Sequence, residues 1–252
     1  MWEGVGPTHH ERKHPMGISK HRADIQRRYD VDTLYNPQDA IELVKSLANG
    51  KFDESVDVAY HLGIDARQAD QLVRSTVSLP HGTGKTVKVV VFANDQAQEA
   101  EDAGADIVGG QDLADQIVAG MALDWDVTIA SPDMMPVVGK LGQLLGPRGL
   151  MPNPKSGTVT RDVGKTVEAF KAGRVEYRND RYGNVHVPMG RVSFEEDALV
   201  DNLLAISDEI QRAKPASSKG KYIQKVSVSS TMGPGIKVDP SALADLIKER
   251  RE

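Results

Sequence analysis

The sequence predicts a discontinuous α+β domain, a split β-α-β unit with an antiparallel sheet, which is interrupted by an inserted α/β domain. Apolar and polar residues alternate from Val56 to Ile64, which is typical of a strand with one face in water. A nearly unbroken apolar run from Val87 to Phe92 indicates instead a strand buried on both faces, as in parallel sheets. Alternation returns after Gly173. The two ends of the chain therefore share one pattern, and the middle has another.

This change of pattern gives the domain bounds. Residues 1–16 combine glycine, proline and histidine without a hydrophobic period, which predicts a disordered N-terminal extension. Residues 17–81 and 173–252 are predicted to form the α+β domain, and residues 82–172 the inserted α/β domain. The chain length suffices for two domains of ordinary size.

Both places where the chain crosses between these domains carry glycine. Insertions are tolerated at surface turns where the ends of the inserted segment lie close together. We therefore expect His81 and Gly82 to lie beside Ala172 and Gly173, so that the two crossings form a hinge.

The first helix has clear start and stop signals. Asn36 is suited to cap a helix, and Pro37 fits the first helical position because proline lacks an N–H group. An apolar stripe then runs from Ala40 to Ala48, and Gly50 ends the helix. The alternating strand follows directly.

The middle of the chain alternates strands with helices, and this order predicts a small parallel sheet covered by helices. The predicted elements are strands at 87–92, 106–108 and 127–130 and helices at 95–103, 112–121, 133–145 and 162–171.

The last part of the chain returns to an antiparallel pattern. Arg174–Arg178 and Asn184–Val187 flank a turn at 179–183, and this arrangement predicts a β-hairpin. The other predicted elements are an amphipathic helix at 195–213, a strand at 223–228, a tight turn at 231–235 and a short helix at 241–250.

The composition excludes several classes of protein. The chain has 252 residues and no cysteine, which excludes disulfide scaffolds, thiolate catalysis and cysteine-ligated metal sites and fits a reducing compartment. No uncharged apolar run reaches the roughly 18 residues that a membrane span needs. We expect a cytoplasmic protein with no metal, no cofactor and no membrane partner.

Two motifs that suggest catalysis fail on their context. Residues 82–86 resemble the end of a phosphate-binding P-loop, but Leu79 stands where glycine is needed and a strand follows instead of a helix. His10 to His14 match the zinc-protease pattern, but Pro15 follows at once and no apolar period supports a helix. We therefore expect no enzyme. The alternative is a nucleotide-binding enzyme or switch that uses the inserted domain, since such folds often hold nucleotides.

The net charge of −5 does not favour nucleic acid, but the charges are unevenly distributed. An acid-free stretch carries six cations: Arg212, Lys214, Lys219, Lys221, Lys225 and Lys237. Such a run is either a solvated surface or a site for a polyanion, and charge alone leaves both open. Thr231, Met232 and Gly233 lie within this stretch. A hydroxyl, an apolar side chain and a bare glycine together permit close approach to a sugar edge.

Five short strings occur in order along the chain: Lys51–Ser55, Thr76–Gly82, Leu145–Lys155, Arg178–Asp180 and Thr231–Pro234. Together they resemble the ribosomal protein L-one family, and the form of residues 151–157 is similar to its bacterial members. The resemblance runs from about Ser19 to Asp239. It implies a domain built from both chain ends, a Rossmann-like three-layer insert and a hinge, in agreement with the fold that the residues predict.

The resemblance also implies the partners and the contact residues. The implied partners are large-subunit ribosomal RNA of the mobile side stalk, deacylated transfer RNA leaving the exit site, and the protein's own messenger RNA, which it would repress. The residues expected to contact ribosomal RNA by position are Lys51, Phe52, Ser55, Arg178, Arg181, His186, Lys225, Thr231, Met232 and Gly233. Lys225 stands where some relatives carry a small hydroxyl residue, so we expect it to replace a hydrogen bond with a phosphate contact.

Overall fold

The computed structural model describes residues 24–250 except residues 26 and 95. The chain divides into two compact units, Met1–Thr33 and Leu34–Glu252, and the elements named below belong to the second. The N-terminal extension predicted over residues 1–16 lies outside the described residues, and so does the zinc-protease pattern at His10 to His14.

Helices and strands of both antiparallel and parallel type make up a mixed α/β fold. The helices are α1 (Pro37–Leu47), α2 (Ala97–Asp102), α3 (Gln111–Val118), α4 (Met135–Lys140), α5 (Gly142–Leu145), α6 (Val163–Lys171), α7 (Glu196–Arg212) and α8 (Pro240–Glu249). The strands are β1 (Ser55–Leu62), β2 (Arg74–Ser78), β3 (Val89–Phe92), β4 (Ile107–Gly109), β5 (Val127–Ala130), β6 (Arg174–Arg178), β7 (Asn184–Arg191), β8 (Ile223–Ser230) and β9 (Ile236–Val238).

An antiparallel sheet in the order β7-β1-β8-β9 combines strands from both ends of the chain. Every second side chain of β1, from Val56 to Leu62, is buried, which confirms the predicted alternation. Helices α1, α7 and α8 contact strands of this sheet. Helix α1 begins at Pro37 as predicted, although the Asn36 side chain forms no capping hydrogen bond.

A parallel sheet in the order β4-β3-β5 lies within residues 82–172, the segment predicted to form the inserted domain. All four residues of β3 are buried, but they serve two different cores. Val90 and Phe92 pack with residues of α3, α4 and α5, whereas Val89 and Val91 pack with residues of α2 and α6. The sheet is therefore covered by helices on both faces, as the continuous apolar run predicts.

The predicted hairpin of β6 with β7 is wrong in its pairing. Strand β6 pairs with β2, whereas β7 pairs with β1, and in the described residues a single bridge between Asn179 and Val185 links β6 to β7. The reason is that Asn179 binds the chain just before β2. Its side-chain Oδ1 accepts from the Val73 N–H (2.8 Å), and its own N–H donates to the Val73 carbonyl (3.1 Å). No hydrophobic pattern predicted β2, since only one of its residues is buried.

The two chain crossings lie side by side. The Leu79 N–H donates to the Gly173 carbonyl (3.3 Å). Gly82 and Gly173 have φ angles of +65° and +111°, a conformation that favours glycine. A Cβ atom on Gly173 would come within 2.5 Å of the Gly82 Cα atom. Backbone therefore packs directly on backbone at this point, which only glycine permits.

A buried asparagine on α7 holds the first crossing in place. The Oδ1 atom of Asn202 accepts from the His81 N–H (3.2 Å), and its Nδ2 donates to the carbonyls of Gly82 (3.0 Å) and Met189 (2.8 Å). Asn202 is fully buried, so each of these bonds replaces one that water would otherwise make. The crossing is thus tied both to α7 and to β7.

We expect Gly173→Ala to reduce the free energy of unfolding by more than Gly120→Ala does. Gly120 has a similar φ of +106° but nothing lies within 4 Å of its Cβ position, so both variants share a backbone cost of about 1–2 kcal/mol. Only at Gly173 does the added methyl group also collide with backbone. Urea denaturation of both variants measures the difference, and equal losses would contradict the close packing of the crossings.

Candidate nucleic-acid interface

A buried carboxylate joins two loops at one end of the antiparallel sheet. Glu54 directly precedes β1 and is only 2% exposed. Its Oε1 accepts hydrogen bonds from the N–H groups of Asn49 (3.0 Å) and Gly50, and its Oε2 accepts from the N–H of Met232 (2.9 Å). We call residues 49–54 and 231–235, which this side chain connects, the loop pair.

The ionisation of Glu54 is matched to this role. Burial acts to raise the pKa of its carboxyl, but the hydrogen bonds led by that of the Met232 backbone outweigh burial and bring the pKa below the ordinary value of 4.5. A carboxyl whose pKa is lower in the folded chain than in the unfolded chain stabilises the fold once it is ionised. Glu54 therefore stabilises the loop pair at neutral pH.

A second set of hydrogen bonds joins Ser55, the first residue of β1, to Thr231 of the second loop. The Ser55 N–H donates to Thr231 Oγ1 (3.1 Å), the Thr231 N–H donates to the Ser55 carbonyl (3.0 Å), and the two hydroxyl oxygens lie 2.9 Å apart. Thr231 is exposed and Ser55 is half-buried. The two hydroxyls therefore form a fixed polar pair at the surface.

Packing requires glycine at two positions of the loop pair, Gly50 and Gly233. A Cβ atom on Gly233 would lie 2.5 Å from Oγ of Ser230, and one on Gly50 would lie 2.6 Å from Oε1 of Glu54. Any larger residue at either position would displace a buried polar atom. The tight approach of the two loops therefore depends on these two glycines.

Two large apolar side chains project from the loop pair. Phe52 is 57% exposed and Met232 is 66% exposed. Large apolar side chains that a fold holds out into solvent next to polar groups mark interaction sites. The loop pair, together with the adjoining Ser55, thus presents an aromatic ring, a flexible thioether, two hydroxyls and a glycine turn.

A cleft of about 820 Å³ opens beside the loop pair. Four residues predicted to contact RNA line it: Phe52, Ser55, Arg178 and Thr231. Residues of the segment 82–172 also line the cleft, among them Thr83, Lys85, Asp126, Leu150 and Met151. Residues that lie far apart in the sequence thus meet at one concave surface.

The other six predicted contact residues do not line the cleft and lie in three places. Lys51, Met232 and Gly233 belong to the loop pair, and His186 pairs with Ala59 on the exposed face of the sheet. Arg181 and Lys225 do not line the cleft. Lys225 pairs with His61 at the far end of β1, six residues from Ser55, which corresponds to about 20 Å along a strand.

The cations that line the cleft differ in their availability. Lys85 Nζ lies 2.5 Å from Asp126 Oδ1, and Arg191 Nη1 donates to the carbonyl of Asp53 (3.0 Å). Arg178 is exposed and forms no ion pair with any residue that the structure describes. Arg178 is therefore the cleft cation best placed to bind an external anion.

The features that suggested other chemistry have structural explanations. Residues 82–86 precede β3 and no helix follows them directly, so the P-loop likeness has no phosphate-binding geometry.

Within the described ranges, no three metal-ligating side chains form a group. The helices of the described segment are each too short or too polar to cross a membrane.

The sequence pattern of the family described as "Ribosomal protein L1p/L10e family" matches residues 44–234, a range that includes the last turn of α1, all of the cleft and nearly all of the loop pair. The chain belongs to this family. The family likeness indicated by the five strings is confirmed, and the expectation of a non-enzyme agrees with membership of a ribosomal protein family.

Relatives of this family match over most of their length. Proteins named "Large ribosomal subunit protein uL1" are 58% identical in Methylobacillus flagellatus (90% of this chain, 99% of that protein) and 55% identical in a Nocardioides species (88% and 92%). The protein of that name in Burkholderia cenocepacia is 55% identical over 90% of this chain. These names do not favour the alternative of a nucleotide-binding enzyme or switch.

Sequence reasoning missed the role of Glu54. The residue lies inside the string Lys51–Ser55, directly before an alternating strand, but nothing in the sequence indicates that its carboxylate is buried. Its partner Met232 lies 178 residues away, and only the pairing of β1 with β8 brings the two together. The one sequence signal that these two residues belong to the same site was that the strings Lys51–Ser55 and Thr231–Pro234 resemble the same family.

We expect Glu54→Gln to lower the free energy of unfolding by about 1–3 kcal/mol at neutral pH, because an amide cannot accept hydrogen bonds from both loops at once. The pKa of Glu54 is lower in the folded chain, so its contribution is present above the unfolded value near 4.5 and is lost as the pH falls through the folded value. The difference between wild type and variant should therefore shrink in acid. Urea denaturation across pH measures it.

The exposed Glu42 on α1 offers a matched control, and Glu42→Gln should leave the stability nearly unchanged at every pH. A Glu54→Gln variant as stable as this control at neutral pH would show that the carboxylate does not hold the loop pair together.

Proposed function

We propose that this chain binds ribosomal RNA of the mobile side stalk of the large subunit, with the loop pair and the adjoining cleft as the contact surface. The observation that carries the proposal is the meeting of Phe52, Ser55, Arg178 and Thr231 at one cleft. Family membership and relatives named as large-subunit proteins support RNA as the partner.

The chemistry of this surface suits an irregular RNA fold. Phe52 offers a ring on which an unpaired base can stack, and Ser55 and Thr231 offer hydroxyls to sugar 2′-OH groups. Arg178 supplies a guanidinium for phosphate, and Gly233 lets the RNA approach the backbone. This set recognises shape, sugar and phosphate and reads few base edges.

We also propose that the inserted segment, residues 82–172, acts as a second domain that moves on the crossings at His81–Gly82 and Ala172–Gly173. The split domain, residues 17–81 and 173–252, would anchor on ribosomal RNA while the stalk tip moves and assists release of deacylated transfer RNA from the exit site. The same surface would bind a similar fold in the protein's own messenger RNA and repress its translation. The adjacent glycine crossings support such a hinge.

Phe52→Ala and Met232→Ala should each weaken binding to a stalk RNA fragment by roughly 5- to 150-fold, which corresponds to about 1–3 kcal/mol for a lost stacking or apolar contact. Both side chains are exposed, so neither change should reduce the free energy of unfolding by more than about 0.5 kcal/mol. Filter binding or fluorescence anisotropy measures the affinity.

The control is Leu144→Ala, which removes a 44% exposed apolar side chain from α5 in the inserted segment. It should bind the fragment as the unmodified chain does. Equal affinity of all three variants for the stalk RNA would argue against the loop pair as the contact surface.

A chain in which a short linker replaces residues 82–172 should still bind the stalk RNA. The Leu79 N–H reaches the Gly173 carbonyl, so the cut ends lie close enough to be joined without distortion. Circular dichroism establishes folding, and anisotropy measures affinity. Complete loss of binding by a folded linker variant would contradict the division of labour between the two domains.

A further inference from the structure

Three segments meet at the end of the antiparallel sheet opposite the loop pair. The Leu62 N–H donates to the Gly183 carbonyl (2.9 Å), the Gly63 N–H donates to the Tyr222 carbonyl (2.6 Å), and Ser218 Oγ donates to the Gly63 carbonyl (3.0 Å). We call the surface formed by residues 61–68, 180–184 and 214–225 the basic end.

The basic end carries a strong local excess of positive charge. Its cations are Arg67, Arg181, Lys214, Lys219, Lys221 and Lys225, whereas its acids are Asp65 and Asp180. Six cations against two acids give a local charge of +4 in a chain whose total is −5. Since the Debye length is about 8 Å at physiological ionic strength, this local charge dominates the field at the surface.

The two acids of the basic end are engaged by the backbone. The Asp180 carboxylate accepts hydrogen bonds from the N–H groups of Tyr182 and Asn184, both at 2.8 Å, and Asp65 accepts from the Arg67 N–H (3.1 Å). Within the described part of the chain, neither forms an ion pair with a cation of this surface.

The cations are correspondingly available. Lys219, Lys221 and Lys225 are exposed and form no ion pair with any described residue, in contrast to Lys85 of the cleft. The Arg181 guanidinium lies 5.2 Å from the centre of the Tyr182 ring, which fixes the guanidinium without neutralising it. A cluster of cations that no acid neutralises is suited to bind a polyanion.

The basic end and the loop pair lie at opposite ends of the same antiparallel sheet. The half-buried side chains of β1 run from Ser55 to His61 along one face of the sheet, and the basic end begins where this row stops. The two ends of this row are about 20 Å apart. One phosphate group cannot touch both ends, but a single folded RNA can. The sequence placed Arg181 and Lys225 in one site with Thr231, whereas the structure separates them from it.

We propose that the basic end is a second RNA-binding surface, which binds phosphates of the same RNA that the loop pair contacts and does so independently of base sequence. This inference rests on the proposed function, because it assumes that the loop pair binds RNA. The loop pair then supplies shape recognition, while the basic end supplies salt-sensitive affinity.

The test compares the salt dependence of binding for the full chain and two double variants, with a stalk RNA fragment as the probe. Lys219→Ala with Lys221→Ala should reduce the slope of log affinity against log salt by about 1.8 for a duplex segment, or about 1.4 for a single strand. Lys140→Ala with Lys165→Ala removes the same charge from exposed positions in the inserted segment and should leave the slope unchanged.

A second probe separates phosphate contact from base reading. In a fragment with altered unpaired bases, the lysine pair should weaken binding by the same factor as in the original fragment. Base-dependent loss, or a slope equal to that of the control, would overturn the proposal for the basic end. Absence of binding by the unmodified chain would overturn the proposed function itself, and this inference with it.

Discussion

The structure of the loop pair depends on one buried negative charge, the carboxylate of Glu54. The Glu54 carboxylate accepts hydrogen bonds from N–H groups of the loop before β1 and of the turn after β8. The Glu54 side chain lies so close to Gly50 that no larger residue fits there. A buried carboxylate is unfavourable unless hydrogen bonds replace its lost water. Here the loops provide those bonds, so the cost of burying the charge is offset only when both loops are in place. Phe52 and Met232 stay exposed because the hydrogen bonds of Glu54 fix the backbone of both loops.

The charged side chains of the molecule are distributed unevenly over its surface. In the cleft, Lys85 is paired with Asp126, whereas Lys219, Lys221 and Lys225 of the basic end form no ion pair with any residue that the structure describes. The acidic total of the chain is therefore a poor guide to its surface. An average over 252 residues hides a local excess that lies on three loops, and the field within a Debye length is set by those loops alone.

Much of the fold could be predicted because its signals are local. Alternation in β1 and the continuous apolar run in β3 each report their own surroundings, and both elements lie where the sequence put them. The partner of β6 could not be predicted in this way. Asn179 binds Val73, a residue more than a hundred positions earlier, and no local pattern encodes that contact. Glu54 escaped notice for the same reason, since its burial depends on strands from opposite ends of the chain.

The distance of 178 residues between Glu54 and Met232 has a consequence for biosynthesis. A ribosome must release almost the whole polypeptide before β8 can pair with β1 and the turn after it can engage the carboxylate. Earlier nascent chains lack one half of the surface. If the loop pair binds RNA as proposed, this affinity arises late in translation, because a growing chain lacks the turn after β8 until it is nearly complete.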